Sequence, residues 1–164
     1  MIPSRKTFDK LPGKLLRPVP TMVYQPIAQR LTRRVAHNHP ELYSRLGEHA
    51  YKRFLIVPTN LPFVVLLQPD PHNPRSRVYR NEQCLSYDAS IRGSALSLLR
   101  MMDGESDGDA LFFSRDLKVE GDTEAVVSLR NALDDIEGSI ANDFASMFGK
   151  PGRATLSFLR RAEI

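Results

Sequence analysis

Cysteine is nearly absent from this chain. Cys84 is the only one in 164 residues, which leaves no internal disulfide and no cysteine-based metal framework and fits a reducing compartment. Long hydrophobic runs are missing too. Nothing approaches the roughly 18 apolar residues of a membrane-spanning helix, and the first residues lack the uninterrupted apolar stretch of a signal peptide, so the expected location is the cytoplasm. The usual chemical signatures are equally scarce. There is no G-x-x-x-x-G-K-[ST] or G-x-G-x-x-G phosphate loop, no G-x-S-x-G elbow, no H-E-x-x-H and no C-x-x-C. These absences favour a binding protein over an enzyme, and no cofactor is expected.

What is present begins with charge. Residues 1–53 carry 11 Lys and Arg against 3 Asp and Glu, whereas residues 54–164 carry 12 against 16. A basic arm of this kind suits an anionic lipid surface, a nucleic acid or an acidic partner. Few aromatics are interleaved to stack on bases, which argues against nucleic acid. Pro3, Pro12, Pro18 and Pro20 forbid a long helix at the start. There Lys10, Lys14, Leu15, Leu16 and Arg17 form the candidate contact with an anionic membrane or a partner, each basic residue contributing about 1 kcal/mol near such a surface.

Apolar periodicity supplies the fold. A chain of this length can bury about 70% of its unfolded surface. Ile27, Leu31 and Val35 fall on one face of a helix with Pro26 in its first turn, and a second helical piece starts near Pro40 and ends at Gly47. Strands are expected at Phe54–Val57, Phe63–Leu67, Arg77–Arg80, Ala89–Arg92 and Leu117–Glu120. Ser94 caps a helix with Leu96, Leu99 and Met102 on one side and Leu98 and Met101 beside them. After Gly138, Ile140, Phe144 and Phe148 continue a four-residue step, for which core packing is expected, and a last apolar and basic piece runs from Arg153 to Arg161.

Metal and catalytic readings are poorly supported. His37 and His39 lack a suitably placed third ligand. The acidic run from Asp103 to Asp109, counted as a calcium loop, places Ser114 where a bidentate glutamate should close the shell, so no metal is expected. His72, Cys84 and Asp88 are the candidate groups for an enzyme, and none lies in a motif that explains its activation.

The most organised stretch is DALFFSRDLKVEGDTEAVVSLRNAL, Asp109–Leu133. Ala110, Leu111, Phe112 and Phe113 form a short apolar turn, a strand follows, and Gly121 permits a tight corner. Asp122 or Thr123 then caps a helix whose Val126, Leu129, Leu133 and Ile136 make one apolar stripe, with Ser128, Arg130, Asn131 and Asp135 opposite. The order A-x-F-F, then L-K-V-x-G-D, then an apolar helix ending N-x-L resembles the signature of the sterol carrier protein-2 (SCP2) family. Within it the chain is most similar to the UbiT-like branch, accessory proteins of ubiquinone biosynthesis, whose opening PVPTMVYQPIAQRLTRR also resembles.

The resemblance implies an α/β (α+β) SCP2-like fold, an about five-stranded sheet covered by helices around an apolar lipid tunnel, with extra N- and C-terminal helices. It divides the chain into a basic arm (1–25), a helical segment (26–50), a lipid-binding core (51–137) and a C-terminal extension (138–164). It implies prenylated phenol and quinone intermediates as ligands, a non-catalytic role in the oxygen-independent route, and UbiU- and UbiV-type hydroxylation proteins as partners. The candidate lining is Phe54, Ile56, Phe63, Val65, Leu67, Ile91, Leu96, Leu99, Met102, Phe112, Val126 and Leu129. The facing of these strand residues is an expectation, since a one-residue slip exchanges the two faces of a strand.

Overall fold

The computed structural model describes residues 20–103, 116–136, 140–147, 149–150, 153–154 and 157. The elements in order are α1 (Thr21–Asn38), α2 (Glu41–Leu46), a 3-10 turn (Gly47–Tyr51), β1 (Phe54–Pro58), β2 (Val64–Gln68), β3 (Arg75–Tyr79), β4 (Ala89–Gly93), α3 (Ala95–Asp103), β5 (Leu117–Gly121), α4 (Thr123–Asp134) and α5 (Ile140–Met147). The five strands form one sheet in the order β3-β2-β1-β4-β5. This is a mixed α+β fold of the kind expected.

The sheet is antiparallel except at its centre, where β1 and β4 run parallel. That single parallel pair has a consequence for the chain path. After the β1-β2-β3 meander the polypeptide must cross to the far side of β1, and residues 80–88 make the crossing. Leu85 packs there against Leu55, Val57 and Val64, while Glu82 pairs with Arg92 and Ser86 accepts from the Arg53 guanidinium. One face of the sheet is thereby covered by a loop. The other face meets the helices.

Between that second face and α2, α3, α4 and α5 lies the main core, built from Leu42, Leu46, Phe54, Ile91, Leu98, Met101, Leu117, Val126, Leu129, Leu133, Ile136 and Ile140. The α4 stripe read from periodicity is thus buried at all four positions. Asp122 is the residue that caps α4, accepting from the Ala125 amide at 3.0 Å. Gly121 has φ +82°, and a Cβ there would meet the Asp88 carbonyl oxygen at 2.5 Å, so both the corner and the close approach of the backbone require glycine. Ser94 caps α3, its hydroxyl accepting from the Ser97 amide at 3.1 Å.

Three expectations are corrected. The first helix starts at Thr21 rather than at Pro26, which lies inside it. Proline removes the hydrogen bond that would run to the Met22 carbonyl; Met22 is 83% exposed, so water can take that place. The third strand is Arg75–Tyr79 rather than Arg77–Arg80, because its pairing with β2 begins at Gln68↔Arg75, directly after Pro74. On α3, whose wide apolar arc left the inward side open, Leu98 and Met101 are buried in the core and Leu96, Leu99 and Met102 are half-buried. Arg130, expected on the polar face of α4, is only 14% exposed and pairs with Asp134 at 3.3 Å. Phe144 and the stretch from Arg153 to Arg161 lie largely or wholly outside what is described.

Candidate functional site

The register decides which strand residues share a face. Ile56 sits opposite Val65 on one side and Ile91 on the other, and Val65 continues to Val78 and Ile91 to Val119. The next row runs Ser76, Leu67, Phe54, Ala89, Gly121. Alternation along each strand places both rows on the helix-facing side. Phe54, Ile56, Val65, Leu67 and Ile91 therefore stand together, and the inner positions they and Ala89 occupy on the three central strands are apolar.

Accessibility divides the candidate lining residues into two groups. Phe54, Ile91 and Val126 have no exposed surface and Leu129 has almost none; they pack against neighbours and offer a ligand no surface in this structure. Ile56, Phe63, Val65, Leu67, Leu96, Leu99 and Met102 are half-buried. Of these, Ile56, Leu67 and Met102 border the main core, Leu99 packs against Ala145 of α5, and the Phe63 ring lies 4.6 Å from that of Tyr24 on α1. Phe112 and the arm residues Lys10, Lys14, Leu15, Leu16 and Arg17 lie outside the described residues.

The helix α1 closes the open edge of the sheet by a device that sequence reasoning missed. The Gln25 side chain donates to the Ser76 carbonyl at 2.8 Å and accepts from the Val78 amide at 2.7 Å. Gln29 donates to the Pro74 carbonyl at 3.0 Å and accepts from the Ser76 amide at 2.8 Å. Two glutamines four residues apart are spaced about 6 Å along a helix axis, close to the roughly 6.6 Å between alternate residues of a strand. Each side-chain amide therefore stands in for a peptide group of a sixth strand. The available signal was the i, i+4 pair of glutamines beside Ile27 and Leu31, but nothing in the sequence says which edge they meet.

Polar groups elsewhere hold the scaffold. Asp122 and Lys52 form an ion pair beside the α4 N-terminus. The hydrogen bond from Lys52, reinforced by the Ala125 amide, holds the Asp122 carboxyl below its usual range, and the same bond raises Lys52. Burial pushes the Tyr43 phenol up, with the Asp70 carboxylate adding to the effect. His39 lies between two carboxylates, with Nε2 3.1 Å from Asp143 and Nδ1 3.3 Å from Glu41, which fastens α5 to the α1-α2 corner.

The remaining catalytic and metal candidates do not converge. His72, Cys84 and Asp88 are all exposed, and Asp88 is occupied in accepting from the Arg53 amide at 2.7 Å. His37 points to solvent while His39 is buried. Among the described residues, no group of three or more His, Cys, Asp or Glu is placed to hold a metal ion. The acidic run from Asp103 falls almost entirely outside the described part. No described helix is long and apolar enough to cross a membrane.

The chain is similar to several solved structures. A ubiquinone synthesis protein, UbiJ-SCP2, superposes with a TM-score of 0.55 at 18% identity, covering 68% of this chain and 89% of its own. A crystal structure of sterol carrier protein 2 gives 0.47 at 10% identity, covering 68% and 98%. The sterol carrier protein 2 of Yarrowia lipolytica, in its apo form, gives 0.43 at 16%, covering 62% and 84%. No curated protein sequence matches. The family model described as SCP-2 sterol transfer family matches residues 29–134, from the middle of α1 to the end of α4, and the chain belongs to that family.

Proposed function

We propose that this protein is a cytoplasmic, non-catalytic lipid carrier that holds prenylated phenol or quinone intermediates during ubiquinone synthesis, in its oxygen-independent route. The observation that carries the reading is the inner face of the sheet. Its central positions are apolar, and part of that surface, like Leu96, Leu99 and Met102 on α3, is only half-buried. Ile56, Phe63, Val65, Leu67, Leu96, Leu99 and Met102 are the side chains a prenyl tail would meet, with Phe112 as a further contact. Each methylene moved from water onto such a surface contributes about 0.8 kcal/mol, so a long tail needs little polar recognition.

The likeness to a ubiquinone synthesis protein supports the pathway, at the level of fold. Hydroxylation of the bound intermediate would belong to UbiU- and UbiV-type partners. Lys10, Lys14, Leu15, Leu16 and Arg17 would bring the protein to the anionic face of the membrane, where such lipids reside. The test is organic extraction of the purified protein followed by mass spectrometry. Prenylated phenols or quinones in near-stoichiometric amount are expected. Phospholipid or fatty acid alone would replace this reading with a general acyl carrier, and no lipid from folded protein would overturn it.

A further inference from the structure

We infer that the Ser76 hydroxyl is the hydrogen-bonding contact for the oxygen of the bound lipid's head group, and that it sets the preference for an oxygenated ligand; this rests on the lipid-carrier reading above. Ser76 is 2% exposed, and among the described residues its Oγ has no hydrogen-bond partner. It stands on the inner face of the sheet, directly opposite Leu67, in a row that is otherwise apolar or glycine.

The backbone of Ser76 is fully engaged. Its amide donates to Gln29 and its carbonyl accepts from Gln25, so both point away from β2 and toward α1. Leu67 and Ser76 therefore form the non-hydrogen-bonded kind of antiparallel pair, in which facing side chains approach most closely. The hydroxyl lies beside a half-buried leucine of the apolar surface and is fixed there by four side-chain bonds to its strand.

An unpartnered buried hydroxyl is a net cost to the ligand-free protein, and an alanine at the same place would avoid it. What the serine offers in return is a donor and acceptor at one end of an otherwise apolar surface. A phenol or quinone oxygen would meet that need; a bare hydrocarbon would not. Access requires α1 to shift from β3; none of its own residues is fully buried, and its ties include the four glutamine bonds to β3, Val35 against the main core and the Tyr24 ring against Phe63.

The test titrates the full-length, delipidated protein with a farnesylated phenol and with the matching farnesyl hydrocarbon that lacks the oxygen. Ser76→Ala should weaken the phenol about fivefold, the effect of one modest hydrogen bond, leave the hydrocarbon unchanged, and raise the melting temperature of the ligand-free protein. Ser76→Thr, which keeps a hydroxyl, should retain the preference for the phenol. Ser90→Ala, a buried serine on the opposite face, should leave the preference intact. Equal loss for both ligands, or no loss for either, would overturn the assignment of Ser76 while leaving a lipid carrier in place. Failure of the unaltered protein to bind either ligand would remove the carrier reading and this inference with it.

Discussion

The two sides of the sheet's helix-facing surface are held by different physics. Toward β4 and β5, the helix α4 lays Val126, Leu129 and Leu133 onto the strands, and these side chains are buried nearly to completion. Toward β2 and β3, no residue of α1 is itself fully buried, and two glutamines bind the helix to the strand edge. Apolar packing without gaps is stiff and transmits strain. A helix with no fully buried residue, tied by directional polar bonds and a few partly buried contacts, opens more readily than a fully buried one. The contrast separates a scaffold side from a side suited to ligand entry, and it is open to direct attack by substitution.

The largest effect is expected at Leu129. A carboxylate placed there by Leu129→Asp would be buried without a partner, at a cost that exceeds what a domain of this size can absorb. The variant should show no cooperative unfolding transition by circular dichroism. Leu99→Asp changes a half-buried residue on α3 and should stay folded, losing about 1–2 kcal/mol together with its co-purifying lipid. A folded Leu99→Asp protein that still retains lipid would remove α3 from the proposed binding surface. An unfolded one would mean that α3 belongs to the scaffold side.

Gly121→Ala comes next. The added Cβ would meet the Asp88 carbonyl at 2.5 Å in a backbone conformation unfavourable to any L residue, so a loss of about 2 kcal/mol or more in urea denaturation is expected. An alanine variant of unaltered stability would show that the corner between β5 and α4 relaxes easily, against the stiffness argued for that side.

How much of this was legible in the sequence follows the same division. The cap, the glycine corner and the α4 stripe could be read because each depends on residues within a turn or two of one another. The five strands could be located to within about two residues, most clearly β1 and β2, whose β-branched and aromatic runs stand on either side of the proline-bounded turn. Their shared face required knowledge of the pairing, which no single strand carries. The wide apolar arc of α3 allowed two orientations, and only packing against α4 and the sheet selects Leu98 and Met101 for the core. The role of Gln25 and Gln29 could not be read, because their partners are backbone groups about 50 residues away whose identity no side chain advertises. Arg130 was misread for a related reason: a guanidinium on the polar side of a helix is normally exposed, and only tertiary packing covers it.

The glutamine clasp gives a smaller and more local prediction. Gln25→Ala with Gln29→Ala removes four hydrogen bonds, each worth about 1 kcal/mol net where water does not replace it. Hydrogen exchange at the Ser76 and Val78 amides should accelerate to that of an open strand edge. The global unfolding midpoint should move less than for Gly121→Ala, because water can solvate much of what is uncovered. A collapse of global stability in this double variant would show that α1 belongs to the scaffold and does not act as a separable cover.

The smallest effect concerns the Lys52 and Asp122 pair at the start of α4. The Asp122 carboxyl is held below its ordinary range in the folded protein, chiefly by the hydrogen bond from Lys52. Its contribution is therefore fully present above the unfolded-chain value near pH 4 and is lost as pH falls through the lower folded value. Lys52 is raised by the same bond, so its contribution is present below its unfolded value and is lost as pH rises through the higher folded one. Asp122→Asn keeps an oxygen to accept from the Ala125 amide but removes the charge. The variant should lose little at pH 7, where the exposed pair is screened by solvent. Its plot of urea midpoint against pH should be flatter than that of the unaltered protein at both the acid and the alkaline ends. An unchanged acid limb would mean that the cap alone, without the ion pair, secures this end of the helix, and that the stiff side of the molecule owes its stability to apolar burial with no measurable help from the charges at its edge.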